Sequence, residues 1–384
     1  MLVIMGEEKM KIAIITITDG ANYGNRLQNY SLQQTLEKIG YQVETLRHNT
    51  SSKVPLIHIP GFCLGQIFLF FFGDRTGFLY NIIRKIRFRK FDKSYIKFGK
   101  DKLGFNKASS ALNEKYDLFV CGSDQIWNVN FNTIEEDIKN YLAFFAPSSK
   151  KISYAASFGT EYISEKYKKI FKQGLSEFKD ILVREETGVE LVNQICGREA
   201  KVVLDPTMLL TAEEWMKISK KPKYCSNEKF IVTYMLGGRN EHFNIYVQEV
   251  KQRYKVDRII NLDIEYIKDC DIENKNEFFT EPSEFIWLIA NAECVLTDSF
   301  HATVFSILFH RPFCVFERNS EKKSESMESR IDTLLRKFDL EMFRCDLKQK
   351  KVFPCKFDSE KVDDILEKER NQSINYLKNA IRKE

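Results

Sequence analysis

Lys11-Ile12-Ala13-Ile14-Ile15-Thr16-Ile17, and after it Asn22-Tyr23-Gly24-Asn25-Arg26-Leu27-Gln28-Asn29, decide the fold class of this chain. The first stretch is a β-branched apolar run that reads as a buried strand, and Gly20, Asn22 and Gly24 mark the turn that ends it. Leu27, Leu32, Leu36 and Ile39 then recur at helical spacing as far as Gly40, and residues 41–46 alternate as a second strand. Strand, turn, helix and strand make a βαβ unit, whose right-handed crossover makes the two strands parallel.

The same grammar continues outward. Strands are expected at 116–121, 152–156, 180–183 and 201–204, with helices at 164–178 and 187–195. After Pro206 a lysine-rich loop at 217–229 interrupts the pattern. It resumes with strands at 230–236, 258–262, 293–297 and 312–316 and helices at 242–253, 283–290 and 301–309. Helices near 327–338 and at 359–382 finish the chain, the last charged enough to lie on the surface and cross back to the first domain. Short apolar strands alternating with helices imply parallel sheets covered on both faces. The expectation is α/β, with two Rossmann-like domains facing a cleft: 11–209, the acceptor side, and 210–384.

With 384 residues and 43% apolar side chains, each domain can bury a core. A net charge of +5 among 29% charged residues is too small an excess for a nucleic-acid binder. The nine cysteines are odd in number and form no C-x-x-C pair, which points to reduced thiols and against a disulfide framework or structural zinc. The amino-terminal residues carry acids and no continuous apolar run, so no secretory signal is read and a cytoplasmic protein is expected. The uncharged stretch 54–73 holds Pro55, Pro60, Gly61 and Gly65, breakers that argue against a spanning helix.

In parallel sheets, ligands bind beyond the carboxyl ends of strands, so the loops there carry the chemistry. Four stand out. At the first, Asn22, Gly24, Asn25 and Gln28 open a helix whose exposed amides can meet an anion or sugar hydroxyls; a tight turn capped by Asn22 is the plainer reading. The full dinucleotide and Walker A patterns are absent. At the second, Cys121-Gly122-Ser123-Asp124-Gln125-Ile126-Trp127-Asn128 sets an indole beside hydrogen-bonding groups, as a sugar ring requires, although a lone tryptophan also serves packing. At the third, Arg184 ends an apolar strand; its fork suits a carboxylate or phosphate, or else a salt bridge to a neighbouring acid. At the fourth, Val295-Leu296-Thr297-Asp298-Ser299-Phe300-His301-Ala302-Thr303 runs from strand into helix. His301 can give or take a proton there, with Ser299 and Thr303 as further donors.

The ordered set formed by residues 22–28, the Gly122-Ser123-Asp124-Gln125 loop with Trp127, Arg184, Asp205-Pro206-Thr207 and Asp298-Ser299-Phe300-His301 resembles the polysaccharide pyruvyl transferase family, over about residues 11–338. The resemblance implies a GT-B-like pair of domains and transfer of pyruvyl from phosphoenolpyruvate to a sugar of a surface glycan or its precursor. It implies a ketal product, His301 as acid/base and Arg184 as the donor-holding residue. Family members carry Arg-Leu before the histidine, where this chain has Ser299-Phe300; Arg330 or Arg26 is the expected substitute cation. Asp298 or Asp124 is expected to orient His301 or to deprotonate the acceptor. No metal or cofactor is demanded, phosphoenolpyruvate being a substrate. A GT-B glycosyltransferase using a nucleotide sugar and a non-catalytic glycan-binding member remain the alternatives.

One segment is left over. Between 62 and 103, phenylalanines are followed by Arg84, Lys85, Arg87, Arg89, Lys90, Lys93, Lys97 and Lys100, interleaved with Ile83, Ile86, Phe88 and Phe91. It reads either as a core helix pair with a solvated basic face or as a peripheral contact with the inner face of a membrane, where a lipid-linked oligosaccharide acceptor would be met.

Overall fold

The computed structural model describes residues 9–48, 75–104, 110–262, 275–318, 328–347 and 352–382. The stretch 54–73, and with it the first part of the basic segment, lies outside them. Two parallel sheets organise the chain. The first has the order β3-β2-β1-β4-β5, from β1 (Lys11–Ile15), β2 (Gln42–His48), β3 (Phe98–Leu103), β4 (Leu118–Cys121) and β5 (Lys151–Ser153). Ile12 pairs with Val43 on one side and Leu118 on the other. Bridges Ile152–Asp180 and Ala156–Val183 carry the sheet on to β6 (Leu182–Val183) and β7 (Lys201–Val202). The second sheet has the order β12-β11-β10-β8-β9, from β8 (Phe230–Tyr234), β9 (Arg258–Asn261), β10 (Cys294–Thr297), β11 (Phe313–Phe316) and β12 (Arg344–Cys345).

Each sheet reverses its winding once. In the first the chain moves outward through β2 and β3 and then crosses to β4 on the other side of β1; in the second it crosses from β9 to β10 on the other side of β8. These two switch points face each other, and a crevice opens outside the strand ends at such a point.

The helices follow the apolar periodicity. Helix α1 (Tyr23–Ile39) is capped by the Asn22 side chain and stopped by Gly40 at φ 116°, a conformation that glycine adopts without strain. The next, α2 (Arg75–Tyr95), belongs to the basic segment, whose described residues form this helix and the edge strand β3. Then come α3 (Asn132–Tyr141), α4 (Glu165–Ser176), α5 (Glu186–Cys196), α6 (Glu241–Tyr254), α7 (Pro282–Asn291), α8 (Phe300–Leu308), α9 (Glu328–Lys337) and α10 (Ser359–Arg382).

One apolar core runs through both units. Ile12, Leu27, Leu32 and Leu36 share a cluster with Val232, Phe285, Val295 and Phe305, and Tyr23 stacks on Phe285 with ring centroids 4.5 Å apart. Each such fully buried side chain contributes about 1.5–3 kcal/mol. Polar links tighten the seam: Tyr23 Oη donates to Thr280 O at 3.2 Å, Arg84 to Phe278 O at 2.7 Å and Arg87 to Glu284 at 2.8 Å. Helix α10 returns to the first unit, where the Ser373 hydroxyl accepts from Leu204 N and Lys179 donates to Ile381 O. Among the described residues no helix is long and apolar enough to cross a membrane.

Candidate active site

A cleft of about 310 Å³ lies where the two switch points meet. The first sheet contributes Ile17, Asn22 and Asn25 after β1, then Asp124, Gln125, Phe131, Thr133 and Ile134 after β4; the second contributes Leu236 after β8, Ser299, Phe300 and His301 after β10, and Arg318 after β11, with Arg330 from α9. Of the residues singled out in the sequence, Asn22, Asn25, Asp124, Gln125, Ser299, His301 and Arg330 line this space.

His301 occupies the first turn of α8, just after Ser299, and is 7% exposed. Its imidazole lies against α1: a Cβ on Gly24 would fall 2.0 Å from His301 Nδ1. Only a glycine lets the two elements close to this distance. Gly24→Ala is therefore expected to push the ring out of place and to destabilise the fold by about 1–3 kcal/mol, read as a lower denaturation midpoint with a displaced His301 imidazole NMR signal. An unchanged signal would mean that the contact is slack.

On its other side, His301 Nε2 has no hydrogen-bond partner and faces Asp205 Oδ2 at 3.8 Å. Burial lowers the His301 pKa below its ordinary value, against the pull of Asp205 and Asp124. Asp205 is itself locked: its Oδ1 accepts from the Thr207 N–H at 3.0 Å and hydroxyl at 2.6 Å, and its Oδ2 from Ser123 Oγ and Arg184, both at 3.0 Å. Burial works against its charge, but His301, Arg184 and the Thr207 bonds hold the carboxyl below the usual range. A proton arriving on His301 would thus meet a carboxyl held toward its ionised form. Asp205, not Asp298, is the carboxylate nearest the imidazole.

Folding gives seven of the residues singled out in the sequence surroundings other than those expected. Asp298 is turned away from His301: it accepts from Leu236 N at 2.6 Å and Gly237 N at 2.7 Å, fixing the loop after β8, with Arg318 3.6 Å away. Thr303 Oγ1 donates back to Ser299 O at 3.0 Å inside α8. Trp127 is wholly buried between Phe158 and Phe178, its indole N–H donating to Tyr141 O, because the turn after β4 drives this large ring into the core. Arg184 is 3% exposed and stands behind the cleft, bonded to Asp205, 3.5 Å from Asp124 and 3.9 Å from Glu185, with Phe300 stacked over its guanidinium at 4.5 Å. Burial opposes its charge and the three carboxylates restore it, leaving its pKa above the ordinary value. Gln28 and Ser123 are also buried; Gln28 donates to Thr16 and accepts from Ser123 N, joining the loops after β1 and β4. Arg26 is engaged by Asp92 at 3.0 Å and by Asp19 O, away from the cleft.

The cleft cations are Arg318 and Arg330. Arg330 is 4% exposed, its Nε has no hydrogen-bond partner, and no carboxylate lies within ion-pair distance among the described residues. Burial, and next the neighbouring Arg184, push it down to about 9. A cation so placed is stabilised by an incoming anion. Phe131, 38% exposed on the opposite wall, offers the flat apolar face that Trp127 does not. Among the described residues no three histidine, cysteine or acidic side chains are grouped to hold a metal.

Arg318 and Phe131 escape the sequence reading, and Asp205 enters it only as part of the Asp205-Pro206-Thr207 motif. Arg318 closely follows β11 and obeys the rule that residues after strands matter; Asp205 follows β7 in the same way. Phe131 carries no signal beyond its position.

Comparison with solved structures places the fold. The UDP-GlcNAc 2-epimerase of Neisseria meningitidis, solved with UDP-GlcNAc bound, matches with a TM-score of 0.50 at 10% identity, covering 98% of this chain and 100% of that one. The UDP-GlcNAc 2-epimerase of Methanocaldococcus jannaschii matches at 0.44 and 14% identity, over 94% and 99%. A wall teichoic acid polymerase matches at 0.47 and 13%, over 98% and 88%. At 10% identity the likeness to the Neisseria structure concerns the fold alone, in keeping with the two Rossmann-like domains in the GT-B-like arrangement described above. No curated protein matches the sequence significantly. The family model for polysaccharide pyruvyl transferase matches residues 22–320, a span that begins at the cap of α1 and includes both cleft walls as far as Arg318, and this chain belongs to that family.

Proposed function

We propose that the cleft binds phosphoenolpyruvate beside a sugar and joins two sugar hydroxyls to carbon two of the donor as a pyruvate ketal. The observation that carries this reading is Arg330, a buried cation without a carboxylate partner among the described residues, which shares one small cleft with the imidazole of His301. Phosphoenolpyruvate brings a carboxylate and a phosphate, two anions for Arg330 and Arg318. These arginines take the place of the family arginine that Ser299 replaces here.

The chemistry then needs one proton donor. His301 delivers a proton to the methylene carbon of the enol, carbon two becomes electrophilic, and the first sugar hydroxyl adds there. The proton lost by that hydroxyl restores the one delivered. Phosphate leaves with its bridging oxygen, the second hydroxyl closes the ketal, and its proton departs with the phosphate. Arg318 and Arg330 offset the charge that collects on the leaving group. Asp205 and the charge of the bound donor favour the protonated form of His301 against its burial, and Asp124 faces the acceptor side. Phe131 supplies the apolar platform for the sugar.

Calorimetric titration with phosphoenolpyruvate tests the reading. Wild type is expected to bind saturably, and Arg330→Ala about 10–100-fold more weakly, the loss of a charge-assisted contact. Binding of UDP-GlcNAc in place of phosphoenolpyruvate would move the assignment to glycosyl transfer. Binding of neither, with glycans still retained, would make this a glycan-binding member of the family.

A further inference from the structure

We propose that the outward face of α2 is a docking surface for an anionic lipid bilayer. The inference deepens the proposed reading, since it says where a lipid-linked acceptor is presented, but it stands on binding alone and requires no transfer activity.

The helix carries two unlike faces. Arg84, Phe88 and Phe91 are buried against α1 and the second domain. Ile82, Ile83 and Ile86 are 39%, 41% and 57% exposed, and Lys85, Arg89, Lys90 and Lys93 stand exposed beside them. At 100° per residue these seven positions fall within one arc of about 160°. The remaining exposed large apolar side chains among the described residues are scattered singly, at Phe131, Tyr162, Met216, Ile245 and Met342. Three isoleucines within two turns are therefore a local feature and not the ordinary background of a surface.

Charge selects the occupant. None of Lys85, Arg89, Lys90 and Lys93 has a carboxylate within ion-pair distance among the described residues, and the acid of this stretch, Asp92, is buried against Arg26. A second copy of the chain docked by a two-fold axis would oppose this cationic face to itself. An anionic interface with an apolar layer beneath it complements both kinds of side chain: the isoleucines enter the acyl boundary and the cations meet the headgroups.

Position links the surface to the cleft. On the buried side of the same helix, Arg84 donates to Ala21 O at 3.2 Å, one residue before Asn22 of the cleft wall. A helix diameter of about 10–12 Å thus separates the bilayer-facing stripe from the cleft rim. A sugar on a membrane-embedded carrier needs to rise only that far.

Co-sedimentation with phosphatidylcholine vesicles, with and without phosphatidylglycerol, tests this on the full chain. Wild type is expected to bind only the anionic vesicles and to be released by salt. The triple variant Ile82→Ser, Ile83→Ser, Ile86→Ser should bind at least about tenfold more weakly, and charge reversal of Lys85, Arg89, Lys90 and Lys93 to glutamate should remove roughly fivefold per cation. All seven side chains are exposed, so unchanged thermal midpoints are expected to accompany these losses. Arg330→Ala should bind vesicles like wild type, which separates this proposal from the reading of the cleft. Absence of anionic-vesicle binding, binding indifferent to both variants, or a solution dimer that either variant dissociates would overturn it.

Discussion

Replacing His301 by glutamine is expected to lower kcat for pyruvyl transfer by about 10²–10⁴-fold, the range of a lost general acid, while phosphoenolpyruvate binding changes little. Glutamine keeps the side-chain volume against Gly24, so the α1–α8 contact survives and only the proton is lost. Two pH effects accompany it. In the free enzyme burial holds the imidazole below its ordinary value, whereas a bound phosphate and carboxylate add negative charge beside it. The apparent pKa in kcat should therefore lie above that in kcat/KM, and this separation should vanish from the residual activity of His301→Gln. For stability the sign follows from the same depression. The unfolded chain takes up its proton first, at about pH 6.5, so folding stability is lost as pH falls below that value. The glutamine variant should lose less stability over the same window. Full kcat in His301→Gln would remove the histidine from the chemistry and leave the ionised pair Asp205–Arg184 without a client.

How much of this was legible in the sequence depends on what each residue packs against. The β-branched runs at 11–17, 230–236 and 293–297 announce buried parallel strands, because only sequences covered on both faces are apolar without alternation. Strand β3 did not announce itself, since Phe98-Gly99-Lys100-Asp101-Lys102-Leu103 carries the charges typical of a sheet edge. Helix α3 has Phe131 at its N-cap, which provides no side-chain hydrogen bond, and breaks its helical geometry at Asp137, so its start gives no chemical signal. At the site, the loops were legible because strand ends must converge on the switch points. Which side chain in a loop faces outward was not. Trp127 and Phe131 lie four positions apart in the same polar stretch, and only the turn that begins with Asp124 at φ 76° decides that the indole is buried and the phenyl exposed. The arginines behave likewise: Arg184 and Arg330 are equal as letters, but three carboxylates reach Arg184 and none pairs with Arg330 among the described residues.

That difference gives the second large effect. Arg184→Ala is expected to destabilise the folded chain by about 3–5 kcal/mol, because it leaves Asp124, Glu185 and Asp205 buried without their cation, and the denaturant midpoint should fall accordingly. The loss concerns the frame of the cleft: Asp205 would still accept from Thr207 and Ser123, but its ionised form would lack Arg184, and the ring of Phe300 would lose the guanidinium beneath it. Removing both charges should cost less than removing one. The double variant Arg184→Met with Asp205→Asn is therefore expected to recover part of the stability, since one of the three buried carboxylates is neutralised and only Asp124 and Glu185 are left without that cation, while activity stays low because His301 has lost the carboxylate 3.8 Å from its Nε2. The alternative role for Arg184, holding the donor, predicts the reverse pattern: a normal denaturation midpoint for Arg184→Ala together with a large rise in the KM for phosphoenolpyruvate. Measuring the midpoint and the KM on the same preparation decides between them, because loss of a residue that frames the cleft moves the midpoint and loss of one that holds the donor moves the KM.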